Sequence, residues 1–175
     1  MKSMFKLIVF LLVLPFAANE VRAQGLEIDI VDGQAAAMPI AVVPFEYVGT
    51  SAAPDTDVAA VIRANLNRSG QFRTLPEGDI VERPQRGSEI NFATWRLLRQ
   101  EYVVVGRILD NPDGGYRTEF EVFDVARQER VEGLALAGRP QGMRDVAHQI
   151  SDHIYEAILG VPGAYVLYRC SFRGQ

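Results

Sequence analysis

The sequence has 175 residues, of which 48% are apolar and 23% are charged, and its formal net charge at pH 7 is -4. These proportions are typical of a folded chain and exclude an intrinsically disordered one. The mild negative charge gives no electrostatic reason to expect nucleic acid or an anionic membrane surface as a partner. The length suits one domain with a hydrophobic core of its own.

The first residues have the pattern of a cleavable secretory signal. Lys2 and Lys6 form a basic head without acids, and residues 7–16 (LIVFLLVLPF) are an unbroken apolar run. The run is shorter than the roughly 20 apolar residues that a membrane-spanning helix needs. We therefore predict cleavage after Ala23, a mature chain that begins at Gln24, and no membrane insertion after cleavage.

A short segment after the predicted cleavage site alternates in polarity like a β-strand. Its residues, in order, are Leu26, Glu27, Ile28, Asp29, Ile30 and Val31. An Ala-rich connector follows, so the segment can leave its own domain and add to the sheet of another protein through main-chain hydrogen bonds. The alternative is an ordinary edge strand of the same domain.

The rest of the chain predicts one α/β domain. Apolar runs and period-two alternation predict strands at residues 40–45, 72–75, 101–109, 116–122 and 131–137. Apolar stripes with helix-capping residues predict helices at residues 54–70, 91–99 and 144–159. Together with the alternating segment at residues 26–31, these elements predict a single mixed β-sheet of five to six strands packed with two to three helices. This is an α/β class of fold (α+β two-layer).

Few residues qualify as catalytic or metal-binding candidates. His148 and Asp152 stand four apart on the last predicted helix, either as a metal or base pair or as a solvated helix pair. We prefer the solvated pair because no third ligand is evident. Ser151, Asp152 and His153 cannot converge as a triad, since adjacent helical residues point about 100° apart. Cys170 is the only cysteine and has no nearby base, so we predict no enzyme, no cofactor and no metal.

Four segments of the domain carry a family resemblance. They are residues 39–45 (PIAVVPF), 65–72 (NLNRSGQF), 103–108 (VVVGRI) with 111–114 (NPDG), and 147–152 (AHQISD) with 154–156 (IYE). In this order and spacing they resemble the N-terminal domain of the TolB family, the periplasmic components of the Tol-Pal system. The resemblance covers approximately residues 26–164.

The resemblance implies a periplasmic envelope role in Gram-negative bacteria, in outer-membrane integrity, constriction at cell division and protein import. It implies that the mature N-terminus, here Leu26–Val31, binds TolA, an inner-membrane protein. A C-terminal β-propeller binds the peptidoglycan-associated lipoprotein in the family. This sequence lacks the propeller, so we do not expect that interaction here. The alternative is a stand-alone periplasmic α/β domain with an unrelated ligand.

These observations divide the chain into four parts. Residues 1–23 are a predicted signal peptide, 24–38 a partner-binding segment and connector, and 39–164 the α/β domain. Residues 165–175 (YVLYRCSFRGQ) follow neither structural period and depart from the family pattern. We expect them to be a frameshifted or otherwise altered ending, or, alternatively, the last strand of a short paralogue at residues 165–168.

Overall fold

The computed structural model describes residues 37–163. Its elements are β1 (Met38–Val42), β2 (Glu46–Val48), α1 (Val58–Arg68), β3 (Phe72–Thr74), α2 (Phe92–Leu97), β4 (Tyr102–Asp110), β5 (Tyr116–Asp124), β6 (Glu129–Gly138) and α3 (Met143–Leu159). Short 3₁₀ turns lie at Glu77–Asp79, Gly87–Glu89 and Pro140–Gly142. The predicted signal peptide, the predicted strand at residues 26–31 and the tail at residues 165–175 lie outside the described residues.

Six strands form one mixed sheet in the order β3-β1-β4-β5-β6, and β2 pairs with β4 beyond the end of β1. β1 runs parallel to both β3 and β4, and β2 also runs parallel to β4. The long strands β4, β5 and β6 form an antiparallel meander. The predicted α/β class, with a single mixed sheet and up to three helices, is confirmed.

The sheet has a hydrophobic cluster on each face. Ile40 and Val42 of β1 contribute to one cluster, which α1 and α3 cover. Ala41 and Val43 belong to the other, which includes Trp95 of α2. Neighbouring residues of a strand point to opposite faces. The middle of the sheet is therefore buried on both sides, which explains why β1 has a continuous apolar sequence rather than an alternating one.

The helix ends follow local capping chemistry. The Asp57 carboxylate accepts a hydrogen bond from the main-chain N–H of Ala60 at 2.8 Å, so α1 begins at Val58 and not at residue 54 as predicted. Gly70 and Gly160 follow the last turns of α1 and α3, both at φ +71°. This left-handed conformation is the one in which glycine is favoured after a helix.

The predicted strand over residues 40–45 is wrong in extent. β1 ends at Val42, and its ladder with β4 closes where Val43 N donates to the Val104 carbonyl at 2.9 Å. Pro44 follows and has no N–H to donate, so the hydrogen-bonded strand ends there. It then pairs with β4 again as the separate strand β2, which the sequence did not predict.

Candidate functional site

The predicted partner-binding residues 26–31 lie outside the described residues and stay a prediction. The sheet nevertheless restricts where a strand that precedes β1 could pair. β1 already has β3 on one side and β4 on the other. Within the described range, the outer edges of the sheet belong to β3, β2 and β6. β3 and β2 have three residues each, whereas β6 has ten.

The β6 edge has two dissimilar halves. The first half carries Glu129, Arg130 and Glu132 and contains a β-bulge, because Phe123 pairs with Arg130 while Val122 pairs with Glu132. A bulge of this kind twists an edge away from further pairing. The second half, residues 133–138 (GLALAG), has no charged side chain, and Leu134 is 39% exposed.

A charged network covers the β4–β5–β6 face that lies opposite α1 and α3. Arg107 donates to one carboxylate oxygen of Glu119 through Nε at 2.9 Å and through Nη2 at 2.7 Å. Arg117 pairs with the same Glu119 at 3.2 Å, and Arg130 pairs with Glu121 at 3.2 Å. Opposite charges therefore alternate across neighbouring strands, which stabilises the pairing and leaves this face close to neutral.

The carboxylate of Asp110 holds the loop after β2 against the end of β4. It accepts hydrogen bonds from the Tyr47 hydroxyl at 2.5 Å, from Thr50 N at 2.8 Å and from Ser51 N at 3.2 Å. These donors, the Tyr47 hydroxyl first, lower the pKa of Asp110 to about 2. The predicted strand at residues 101–109 ended one residue before Asp110. Its partners are about 60 residues away in the chain, so no local pattern revealed this contact.

A polar link joins α1 to α3 and corrects the interpretation of His148 and Asp152. The Asn65 amide Nδ2 donates to Ser151 Oγ at 2.9 Å and lies 2.9 Å from His148 Nδ1. His148 is half-buried and Asp152 is only 7% exposed, so the predicted solvated helix pair is wrong. Burial, and next the positive charge of Arg144, lower the pKa of His148. The residues on both sides come from segments that carry the family resemblance.

The contacts described above are hydrogen bonds and ion pairs within the domain. No group of three His, Cys, Asp or Glu side chains is placed to hold a metal ion among residues 37–163. In the same range, no helix is both long and apolar enough to cross a membrane. The described part of the chain is thus a small mixed-sheet α/β domain with exposed strand edges, and exposed edges are surfaces that protein-binding domains use.

Comparison with known proteins places this domain in a family. The model of the TolB amino-terminal domain matches residues 26–131, and the chain belongs to this family. The Tol-Pal system protein TolB of Xanthomonas oryzae pv. oryzae (strain PXO99A) is 57% identical over 154 residues, which are 88% of this chain and 35% of that protein. The protein of the same name from Xanthomonas axonopodis pv. citri (strain 306) gives the same values.

A solved structure agrees with the family assignment. The crystal structure of TolB from Acinetobacter baumannii superposes with a TM-score of 0.61 at 28% sequence identity. The superposition covers 73% of this chain and 29% of that one. The chain spans about a third of the length of the curated relatives that it matches.

Proposed function

We propose that the chain is a non-enzymatic, protein-binding component of a Tol-Pal-type cell-envelope system, exported to the periplasm by cleavage between Ala23 and Gln24. The identity of 57% over 154 residues to proteins named Tol-Pal system protein TolB carries this proposal. The expected roles are outer-membrane integrity, constriction at division and protein import. A stand-alone domain with an unrelated ligand is less favoured, because such extensive identity to this group of proteins would then have no functional counterpart.

The proposed mode of binding is strand addition by Leu26–Val31 to the sheet of a TolA-like inner-membrane protein. The family match begins at residue 26, so this segment lies within the range that the family shares. β1 has a strand on each side, so its ladders do not depend on an upstream strand. Main-chain hydrogen bonds would supply affinity, and the alternating side chains of the segment would supply specificity.

Titration calorimetry with the C-terminal domain of a TolA-like protein tests this proposal. Deletion of residues 24–31 is expected to abolish the heat of binding and to leave the thermal unfolding of the domain unchanged. Ile28→Pro removes one main-chain donor and is expected to weaken binding strongly. Ile28→Val, which suits a strand, is the matched control and is expected to bind like the parent. Unchanged binding by the deletion variant would overturn the proposed mode.

A further inference from the structure

In the second half of β6, the main-chain groups of every other residue point away from the sheet. Val125 N donates to the Glu101 carbonyl and Asn111 N to the Gly115 carbonyl, so odd-numbered residues of β4 and β5 bond to each other. Main-chain direction alternates along a strand, so even-numbered residues of β5 bond to β6. The register pairs them with Glu132, Leu134, Leu136 and Gly138.

The residues between those partners therefore direct their N–H and C=O groups outward; they are Gly133, Ala135 and Ala137. Gly133 N bonds to the carboxylate of its own neighbour Glu132 at 2.8 Å, which agrees with this direction. The result is a template for another strand, at a place where edge strands normally carry a charge or a proline.

The sequence of this edge reads nearly the same in both directions about Ala135. Leu134 and Leu136 flank it, and Gly133 and Ala137 lie one position further out. A two-fold axis through Ala135, perpendicular to the sheet, would place Leu134 of one copy opposite Leu136 of the other. Both leucines project to the face that α3 covers, since Leu136 packs against the cluster under α1 and α3 and Phe120, the β5 partner of Leu134, belongs to that cluster.

We propose that two copies of this chain pair antiparallel through residues 133–137 of β6 and form one continuous sheet. The register that centres on Ala135 gives main-chain hydrogen bonds between the two Ala135 residues and between each Gly133 and the other copy's Ala137. For the second of these, the Gly133 N–H exchanges its bond with the Glu132 carboxylate for one with the Ala137 carbonyl. The four leucines form one apolar cluster on one face, while only small side chains meet on the other.

The charges along this edge are compatible with a second copy as the occupant. In this register Val131 faces Arg139 and Glu132 faces Gly138, so no like charges stand opposite each other. Gly138 lies against Met143 and Val146 in the first turn of α3, so Glu132 of each copy would face the point where α3 of the other copy begins. A helix N-terminus favours a carboxylate. The interface is one strand pair, smaller than the roughly 1,200 Å² lower limit of a standard interface. We therefore expect a dimer that dissociates on dilution.

Sedimentation velocity of the full chain is the first test. The weight-average sedimentation coefficient is expected to rise from the monomer towards the dimer value between about 10 μM and about 1 mM protein. Ala135→Lys opposes two positive charges across the axis and is expected to remain monomeric. Ala64→Lys, at an exposed position of α1, is the matched control and is expected to dimerise like the parent. A parent chain that remains monomeric throughout this range would overturn the proposal. This holds equally if the β6 edge stays unpaired or if it binds a different polypeptide.

A mixing experiment tests the register. Ala135→Lys and Ala135→Glu are each expected to be monomeric alone, and an equimolar mixture is expected to recover the dimer because Lys then faces Glu. Far-UV circular dichroism verifies that both variants fold. A mixture that stays monomeric, or an Ala135→Lys variant that dimerises like the parent, would contradict pairing centred on Ala135. In a Cys170→Ser background, oxidation of Ala135→Cys is expected to give a disulfide-linked dimer, which keeps the register testable if the charged variants unfold.

Discussion

At the residue scale, the Asp110 carboxylate connects β4 to the loop that leads into α1. Its donors come from β2 and from the loop behind it, so a single side chain fixes the position of a segment without regular structure. Tyr47 takes part in the same contact: burial, and then the neighbouring carboxylate, raise the pKa of its hydroxyl. This end of the sheet therefore depends on a charge that acid removes.

Asp110→Asn is expected to lower the free energy of unfolding at pH 7. The folded state lowers the pKa of this carboxyl from 3.8 to about 2, so its stabilisation is complete above about pH 4 and is lost as the pH falls towards 2. The difference between parent and variant should therefore shrink over that interval in urea titrations. Asp113→Asn, in the adjacent exposed turn, is the control. A difference that does not change with pH would contradict this role.

His148 is expected to titrate below the ordinary histidine pKa of 6.5, because it is half-buried between α1 and α3 and lies near Arg144. A lowered histidine pKa means that the unfolded chain binds more protons, so this contribution to stability falls as the pH drops below about 6.5. The sequence has two histidines, and His153→Gln leaves one imidazole signal for an NMR titration. A midpoint at or above 6.5 would refute this prediction.

At the element scale, local chemistry determined what the sequence could predict. Asp57 before α1 and glycines after α1 and α3 are signals within a few residues, and the helices were found from them. β2 has only three residues and forms because β4 extends past the end of β1, which is information from elsewhere in the chain. The Asn65 contact with α3 was missed for the same reason, since its partners lie more than 80 residues away.

Gly106 in the middle of β4 is expected to resist substitution. A Cβ atom there would lie 2.6 Å from the ring of Phe45 and 2.7 Å from the Glu119 carbonyl, so the ring must move and β4 must also shift away from β5. Gly106→Ala should cost about 1–3 kcal/mol in the free energy of unfolding, the usual range for overpacking. Gly78→Ala is the matched control, because nothing lies within 4 Å of its Cβ position. Equal stability of the two variants would contradict this packing.

At the scale of the whole molecule, the two hydrophobic clusters share the same strands. β1 and β4 each contribute residues to both faces, so loss of packing on one face withdraws support from the other. We therefore expect the described domain to unfold as one cooperative unit, as small single domains usually do.

Ile150→Ala on α3 tests this cooperativity. Ile150 is fully buried in the cluster under α1 and α3, so the truncation should cost about 2–5 kcal/mol. Trp95, the only tryptophan, lies in the cluster on the opposite face and reports there by its fluorescence. The urea midpoints from Trp95 fluorescence and from circular dichroism should fall together. A fluorescence midpoint that stays at the parent value would show that the faces unfold independently.

The packing of the first helix of the domain on the last one affects how the polypeptide folds as it emerges. The hydrogen bond of Asn65 needs Ser151, which lies 86 residues later in the chain. β1 likewise pairs with β3 and β4, which both follow it in the sequence. A chain that leaves a ribosome amino end first cannot complete the hydrophobic cluster under α1 and α3 until the 17 residues of α3 have been synthesised. For a polypeptide exported amino end first, as we propose, the core would be completed only after the last helix has followed the rest of the chain across the membrane.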